Sequence, residues 1–322
     1  MLPFRKILCP TDFSDISYQA LDAAIQLAKD FHAELCVLHV AAPLGNELGF
    51  ATYGAAGYAP VIPSDVGEMD EESVSDAKTR LSELIAARVP EGVSARGLVH
   101  LGNAASEIES AIEAENADLL VIATRGLSGW RHLVFGSVTE QTVRLAKCPV
   151  LAIHDRQAHD RQAHDRASGK QPFLPLRKIL CPTDFSEPSR AALKIAGELA
   201  AHYGAKLGVL HVTWTLSNRL PSGDYEMASY DKLKMSEAHA RLNEMIGEST
   251  PASAGVYPLV RPGAKAEEIE RAAEEEEADL IVIATHGASG WQRLFYGSIA
   301  EQVLRTTEFP VLVVHAPANA GK

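Results

Sequence analysis

The sequence predicts a doubly wound α/β fold that occurs twice in one chain, and three observations carry that expectation. Short apolar runs alternate with amphipathic stretches, the pattern of strands joined by crossover helices. The runs Asp118 to Ala123 and Val150 to His154 are almost continuously apolar, as strands covered on both faces of a mostly parallel sheet must be. The pattern then returns, since FRKILCPTDFS at Phe4 to Ser14 recurs as LRKILCPTDFS at Leu176 to Ser186, an offset of 172. Internal repetition on this scale sets the number of domains before any single element is assigned.

In the first copy, Arg5 to Cys9, Glu34 to Val40, Ala95 to Leu101, Asp118 to Ala123 and Val150 to His154 read as five strands. A helix follows the first of them, because Ala20, Leu21, Ala24, Leu27, Ala28 and Phe31 recur at the spacing of one helical face. Ala192, Leu193, Ala196, Leu199, Ala200 and Tyr203 repeat that face in the second copy. Leu38-His39-Val40 returns as Leu210-His211-Val212, still at 172, whereas ADLLVIA at Ala117 to Ala123 returns as ADLIVIA at Ala278 to Ala284, at 161. The first copy thus carries 11 extra residues after its second strand, and the Gly, Ala, Tyr and Pro stretch Leu48 to Ser64 reads as a loop insertion, with a lid over a site as the alternative. Right-handed crossovers then give two doubly wound domains, 1–154 and 176–317. The linker 155–175 carries most of the tract HDRQAHDRQAHDR, which begins at His154 and reads as a solvated tether rather than a metal site.

A chain of 322 residues with 46% hydrophobic content can bury a core in each half. The formal net charge of -12 argues against nucleic acid and anionic membranes as partners, because binding to either needs a basic surface. Cys9, Cys36, Cys148 and Cys181 lie far apart with no CxxC spacing, the usage of a reducing compartment. The N-terminus does not read as a signal peptide and no run approaches a membrane span, so the expected location is cytoplasmic. The acidic run Glu274 to Glu277 reads as a solvated helix face.

Ligands of doubly wound sheets bind beyond the carboxyl ends of the strands, where the strand order reverses. Two segments of each copy can line that crevice. The first is Pro10-Thr11-Asp12, repeated as Pro182-Thr183-Asp184. Its carboxylate can accept from ribose hydroxyls or an adenine amine, and Val40 or Val212 can offer backbone groups to a base. Asp12 or Ser14 can equally cap the next helix, with Pro188 in its first turn in the second copy. The second segment runs from Ile122-Ala123-Thr124-Arg125-Gly126 to Gly136-Ser137-Val138-Thr139, and from Ile283-Ala284-Thr285-His286-Gly287 to Gly297-Ser298-Ile299-Ala300. Its glycines let backbone amides converge on an anion, and helices starting at Ser137 and Ser298 add their positive ends. Ser137 to Glu140 and Ser298 to Glu301 also match the S-x-x-E capping box. Arg125, Arg131 and His132, set against His286 and Arg293, make the first copy's loop the more cationic.

With these residues the chain resembles the universal stress proteins, which carry a PTD element after the first strand and a G-x2-G-x9-G-[ST] motif after the fourth. The resemblance covers nearly the whole of both copies. Gly126 and Gly136-Ser137, like Gly287 and Gly297-Ser298, keep the family's spacing; Ala123 and Ala284 replace its first glycine and retain only the backbone amide. The resemblance implies two five-stranded parallel sheets of the adenine nucleotide alpha hydrolase-like type, in the order 3-2-1-4-5. It implies ATP, or else AMP or ADP, with Mg2+ accompanying the nucleotide. The site residues it implies are Thr11, Asp12, Val40, Arg125, Gly126, Gly136, Ser137 and Val138 with their repeats, among the neighbouring Pro10, Ile122, Ala123 and Thr139 and Pro182, Ile283 and Ala284. It further implies that the last strands, Pro149 to His154 and Pro310 to His315, pair as an intramolecular pseudo-dimer, with a homodimer of chains as a further possibility.

The expected role is a stress-response nucleotide-binding module with at most slow ATP hydrolysis. An enzyme such as a nucleotidyltransferase lacks support from any G-x-x-x-x-G-K-[ST] or paired-carboxylate element. A scaffold whose crevice binds no nucleotide has the same fold, so fold alone does not choose among the three.

Overall fold

The first apolar run of each copy becomes the strand about which its sheet is ordered. The computed structural model describes residues 2–43, 66–124, 136–154, 173–214, 225–285 and 297–315. The chain divides into two compact units, Phe4–Ala146 and Lys147–Lys322 with Met1–Pro3. In the first unit β1 (Lys6–Pro10), β2 (Glu34–Ala41), β3 (Ala95–Leu101) and β4 (Leu119–Ala123) form a parallel sheet of order β3-β2-β1-β4. Helices α1 (Asp15–Phe31), α2 (Val66–Arg88), α3 (Ala104–Glu115) and α4 (Ser137–Leu145) follow the successive strands. Every residue of the apolar face predicted for α1 is buried.

The second unit contains β5 (Val150–Ile153), β6 (Lys178–Pro182), β7 (Lys206–Thr213), β8 (Gly255–Pro262), β9 (Leu280–Ala284) and β10 (Val311–Val314), in the order β5-β10-β9-β6-β7-β8. Its helices are α5 (Glu187–Tyr203), α6 (Tyr225–Ser249), α7 (Lys265–Glu275) and α8 (Ser298–Thr306). From β8 to β10 the order is 3-2-1-4-5 and every pairing is parallel. β5 packs in the second unit, antiparallel to β10, with Leu151 opposite Leu312. A strand edge with unpaired N–H and C=O groups is costly to leave open, and this pairing closes the edge of β10. His154, just past β5, donates from Nε2 to the Leu304 carbonyl of α8 at 3.0 Å.

Local chemistry sets the entry to each sheet in the same way twice. Asp118 accepts from the backbone N–H of Arg5 and Lys6 at 2.9 and 3.2 Å, and Asp279 accepts from Arg177 and Lys178 at 2.7 and 2.9 Å. The first strand is thereby fixed beside the fourth. Ser14 and Ser186 cap α1 and α5, accepting from Ser17 and Ser189, and Pro188 lies in the first turn of α5. The four cysteines are buried and form no disulfide, and burial pushes the Cys181 thiol up to about 12, so it stays protonated. The acidic run is not merely solvated. Glu275 pairs with Arg261, Glu276 accepts from the Tyr257 hydroxyl at 2.7 Å, and Glu277 pairs with Lys178. Among the described residues no helix is long and apolar enough to cross a membrane.

The copies differ under the final helix of each fold. Thr142 of α4 is 1% exposed and its hydroxyl has no partner among the described residues, whereas Val303 occupies the repeated position. A buried hydroxyl without a hydrogen bond costs free energy that an apolar group of the same shape does not. Thr142→Val is therefore expected to stabilise the protein by about 1 kcal/mol, read as a higher urea midpoint at unchanged slope. A lower midpoint would show that the hydroxyl is satisfied in solution.

Candidate functional site

The predicted residues of the second copy converge on a cavity of about 530 Å³ at the carboxyl ends of β6, β7 and β9. Its walls include Pro182, Thr183, Asp184, Val212, Ile283, Ala284, Gly297, Ser298 and Ile299, all anticipated from sequence, together with Ser189, His211, Lys265, Ile269 and Thr285. The volume is that of a small-molecule pocket, and the place is the switch point, because β6 pairs with β7 on one side and β9 on the other.

One wall is the turn after β6. Thr183 donates its N–H to the Leu210 carbonyl at 2.8 Å, tying the turn to β7. Its hydroxyl is 2.9 Å from that of Ser189 and accepts from the Phe185 N–H at 3.1 Å. Asp184 accepts the Ser186 N–H at 3.1 Å through Oδ1, which closes an Asx turn, so the carboxylate shapes the loop and also faces the cavity. The first copy repeats each bond: Thr11 to Leu38 at 2.8 Å, Thr11 to Ser17 at 3.0 Å, and Asp12 to the Ser14 N–H at 3.1 Å. Of the two capping alternatives, Ser14 and Ser186 hold the caps while Asp12 and Asp184 fix the turn before them.

The opposite wall is the start of α8. Its N-cap is Gly297, as Gly136 is for α4, and neither cap makes a side-chain hydrogen bond. This corrects the capping-box expectation: Ser137 and Ser298 are the first helical residues, one position too late for their hydroxyls to cap. The glycine N–H groups turn inward, Gly136 to Thr124 O at 2.7 Å and Gly297 to Thr285 O at 2.6 Å. Among the described residues no side chain caps the positive end of either helix, which leaves first-turn amides for an anion. In the first copy Thr139 donates to the Ala123 carbonyl at 2.8 Å, and the buried Thr124 hydroxyl has no partner among the described residues. Arg125, Gly126, His286 and Gly287, and the cationic Arg131, His132 and Arg293, lie outside the described residues, as do the 48–64 stretch and most of the His/Asp tract.

His211 and Lys265 are among the lining residues that residue-by-residue reading missed. The His211 Nδ1 lies 2.8 Å from the Thr183 carbonyl, which can only accept, so the proton sits on Nδ1. Burial, with Lys265 and Arg241 nearby, holds the imidazole below its usual range against the opposing Thr183 bond and Asp184, and the ring is neutral at pH 7. Lys265 opens α7, whose N-cap Ala264 offers no side-chain bond. The first copy has Ala104 there, and Asn103 caps α3 by accepting from Ser106. The signal for Lys265 was its place two residues past Gly263, where the third strand turns toward the cavity.

Comparison with known proteins decides the family. The model of the universal stress protein family matches residues 3–154 and again 175–315. The chain belongs to the universal stress protein family. Universal stress protein YxiE of Bacillus subtilis is 33% identical over 150 residues, which is 47% of this chain and 99% of that protein. A universal stress protein of Mycolicibacterium smegmatis is 24% identical over 317 residues, 96% of each chain. The crystal structure of a universal stress protein from Archaeoglobus fulgidus aligns over 98% of this chain and 99% of its own, with a TM-score of 0.64 and 22% identity. The family's domain thus occurs twice in this chain, and the third comparison supports the fold alone.

Proposed function

We propose that this tandem universal stress protein binds an adenine nucleotide, ATP with its Mg2+ in the first instance, and works as a sensor or regulatory module. The observation that carries this reading is the 530 Å³ cavity with an uncapped helix start on one side and the Thr183-Asp184 turn on the other. A triphosphate fits the helix side, where Ser298, Ile299 and Ala300 present first-turn amides that no described side chain caps. A ribose and base fit the β7 side, where Asp184 can accept from a donor and Val212 gives an apolar wall. Bound Mg2+ would neutralise phosphate charge, and slow hydrolysis is the most turnover expected. The antiparallel pairing of β5 with β10 supports the pseudo-dimer reading of the two copies. Four buried cysteines outside any disulfide accord with a cytoplasmic location.

Denaturing the purified chain and chromatographing the supernatant should release ATP or AMP, and titration calorimetry with ATP and Mg2+ should show saturable heat. No nucleotide and no heat would instead favour a scaffold, and rapid diphosphate release would favour an enzyme. Lys265→Ala is expected to weaken ATP by about fivefold through loss of one ammonium at the rim, an effect that 0.5 M salt should shrink. An unchanged dissociation constant would place Lys265 outside the ligand's reach.

A further inference from the structure

A phenylalanine, a histidine and an arginine meet beside the crevice of the second copy, and the same three residue types meet at the repeated place in the first. Phe185 lies against His211 with ring centroids 4.3 Å apart, and the Arg241 guanidinium lies over the same ring at 4.1 Å. In the first copy Phe13 lies 4.5 Å from His39, with Arg80 at 4.2 Å. Both phenylalanines have positive φ, 63° and 65°, a conformation that side chains other than glycine adopt only when their surroundings impose it. The phenylalanine and histidine repeat at an offset of 172 but the arginine at 161. An 11-residue change of length between them has left the guanidinium over the same ring.

We infer that Arg241, Phe185 and His211 are positioning residues that hold the Thr183-Asp184 turn in its ligand-accepting shape, and that they join α6 to the crevice. Phe185 directly follows Asp184, and its N–H is bound by the Thr183 hydroxyl, so the ring cannot leave this cluster without disturbing the turn. His211 grips the Thr183 carbonyl from β7 and lines the cavity itself. Arg241 comes from α6 and binds the ring face as a cation on a π cloud. Order in α6 and the shape of the turn are therefore one equilibrium, and a ligand that needs the turn also favours the docked helix. Arg80 of α2 holds the corresponding place in the first copy. The charged groups that act on His211 come from three elements: Lys265 of α7, Arg241 of α6 and Asp184 of the turn.

This inference rests on the nucleotide reading, and the probe is ATP with Mg2+. Arg241→Met keeps the helix and the apolar contact but removes the cation, and is expected to weaken ATP at the second crevice by about tenfold. Arg241→Lys, which restores a cation over the ring, should recover affinity to within about threefold. Phe185→Leu should reproduce the loss seen with Met. In ring-proton NMR titrations the His211 midpoint should rise in Arg241→Met and stay near native in Arg241→Lys. Native affinity in the Met variant, equal loss in Met and Lys, or an unmoved His211 midpoint would each overturn the inference alone. Failure of the native chain to bind ATP would overturn the nucleotide reading and this inference with it.

Discussion

Gly297→Val is expected to reduce ATP affinity at the second crevice by about a hundredfold while the melting temperature falls by only a few degrees. Gly297 has φ −61° and ψ 126°, values open to any residue, so the new side chain introduces no backbone strain. It forfeits no side-chain cap either, and exchanging glycine for an apolar N-cap costs about 1 kcal/mol. Two methyl groups would instead stand in the cavity wall at the start of α8, where phosphate oxygens must come within hydrogen-bond distance of the amides. Gly136→Val should do the same in the first copy, where φ is −77°. Calorimetric titration of each single variant and of the pair, with scanning calorimetry for stability, separates the two effects. Survival of ATP affinity in the double variant would remove this loop from the phosphate site.

Gly263→Val is expected to act on stability instead, lowering it by about 3 kcal/mol. Its φ of 150° lies in a region that residues with a Cβ rarely adopt, and a Cβ built there would lie 2.7 Å from the Glu268 Cγ. Glu268 is 7% exposed and paired with Arg271 at 2.8 Å, so it has little room to yield. Gly102→Val should cost less, because φ is similar at 153° but the first contact is the far end of Glu107 at 3.0 Å. Urea unfolding of the two variants should rank them in that order, and a change below about 0.5 kcal/mol in Gly263→Val would show that the turn relaxes freely.

How far the sequence was legible depended on whether the information was local. The strand and helix periods were local, and the α1 face from Ala20 to Phe31 is buried as its spacing requires. The strands around Cys9, Val40, Leu101 and Ala123 lie within a residue or so of their predicted ends. Pro182, Thr183, Asp184, Gly297 and Ser298 were found because strand ends and helix starts are the places where backbone donors and acceptors lack partners. The capping box failed for the same physical reason that makes it short-ranged. A shift of one residue in the start of α4 or α8 turns a cap into a first-turn residue, and the tertiary bonds of Gly136 to Thr124 and Gly297 to Thr285 chose that register.

By itself the sequence determined that the chain holds two copies of one doubly wound domain, because repeats and apolar periods are properties of neighbours along the chain. Only the tertiary structure decided that Lys265 enters one crevice where Ala104 stands in the other copy, and that arginines from α2 and α6 land on Phe13 and Phe185. Each of those outcomes joins residues remote in sequence. Their partners are chosen by which surfaces the packed sheet leaves to be covered, a choice that does not exist until the sheet has formed.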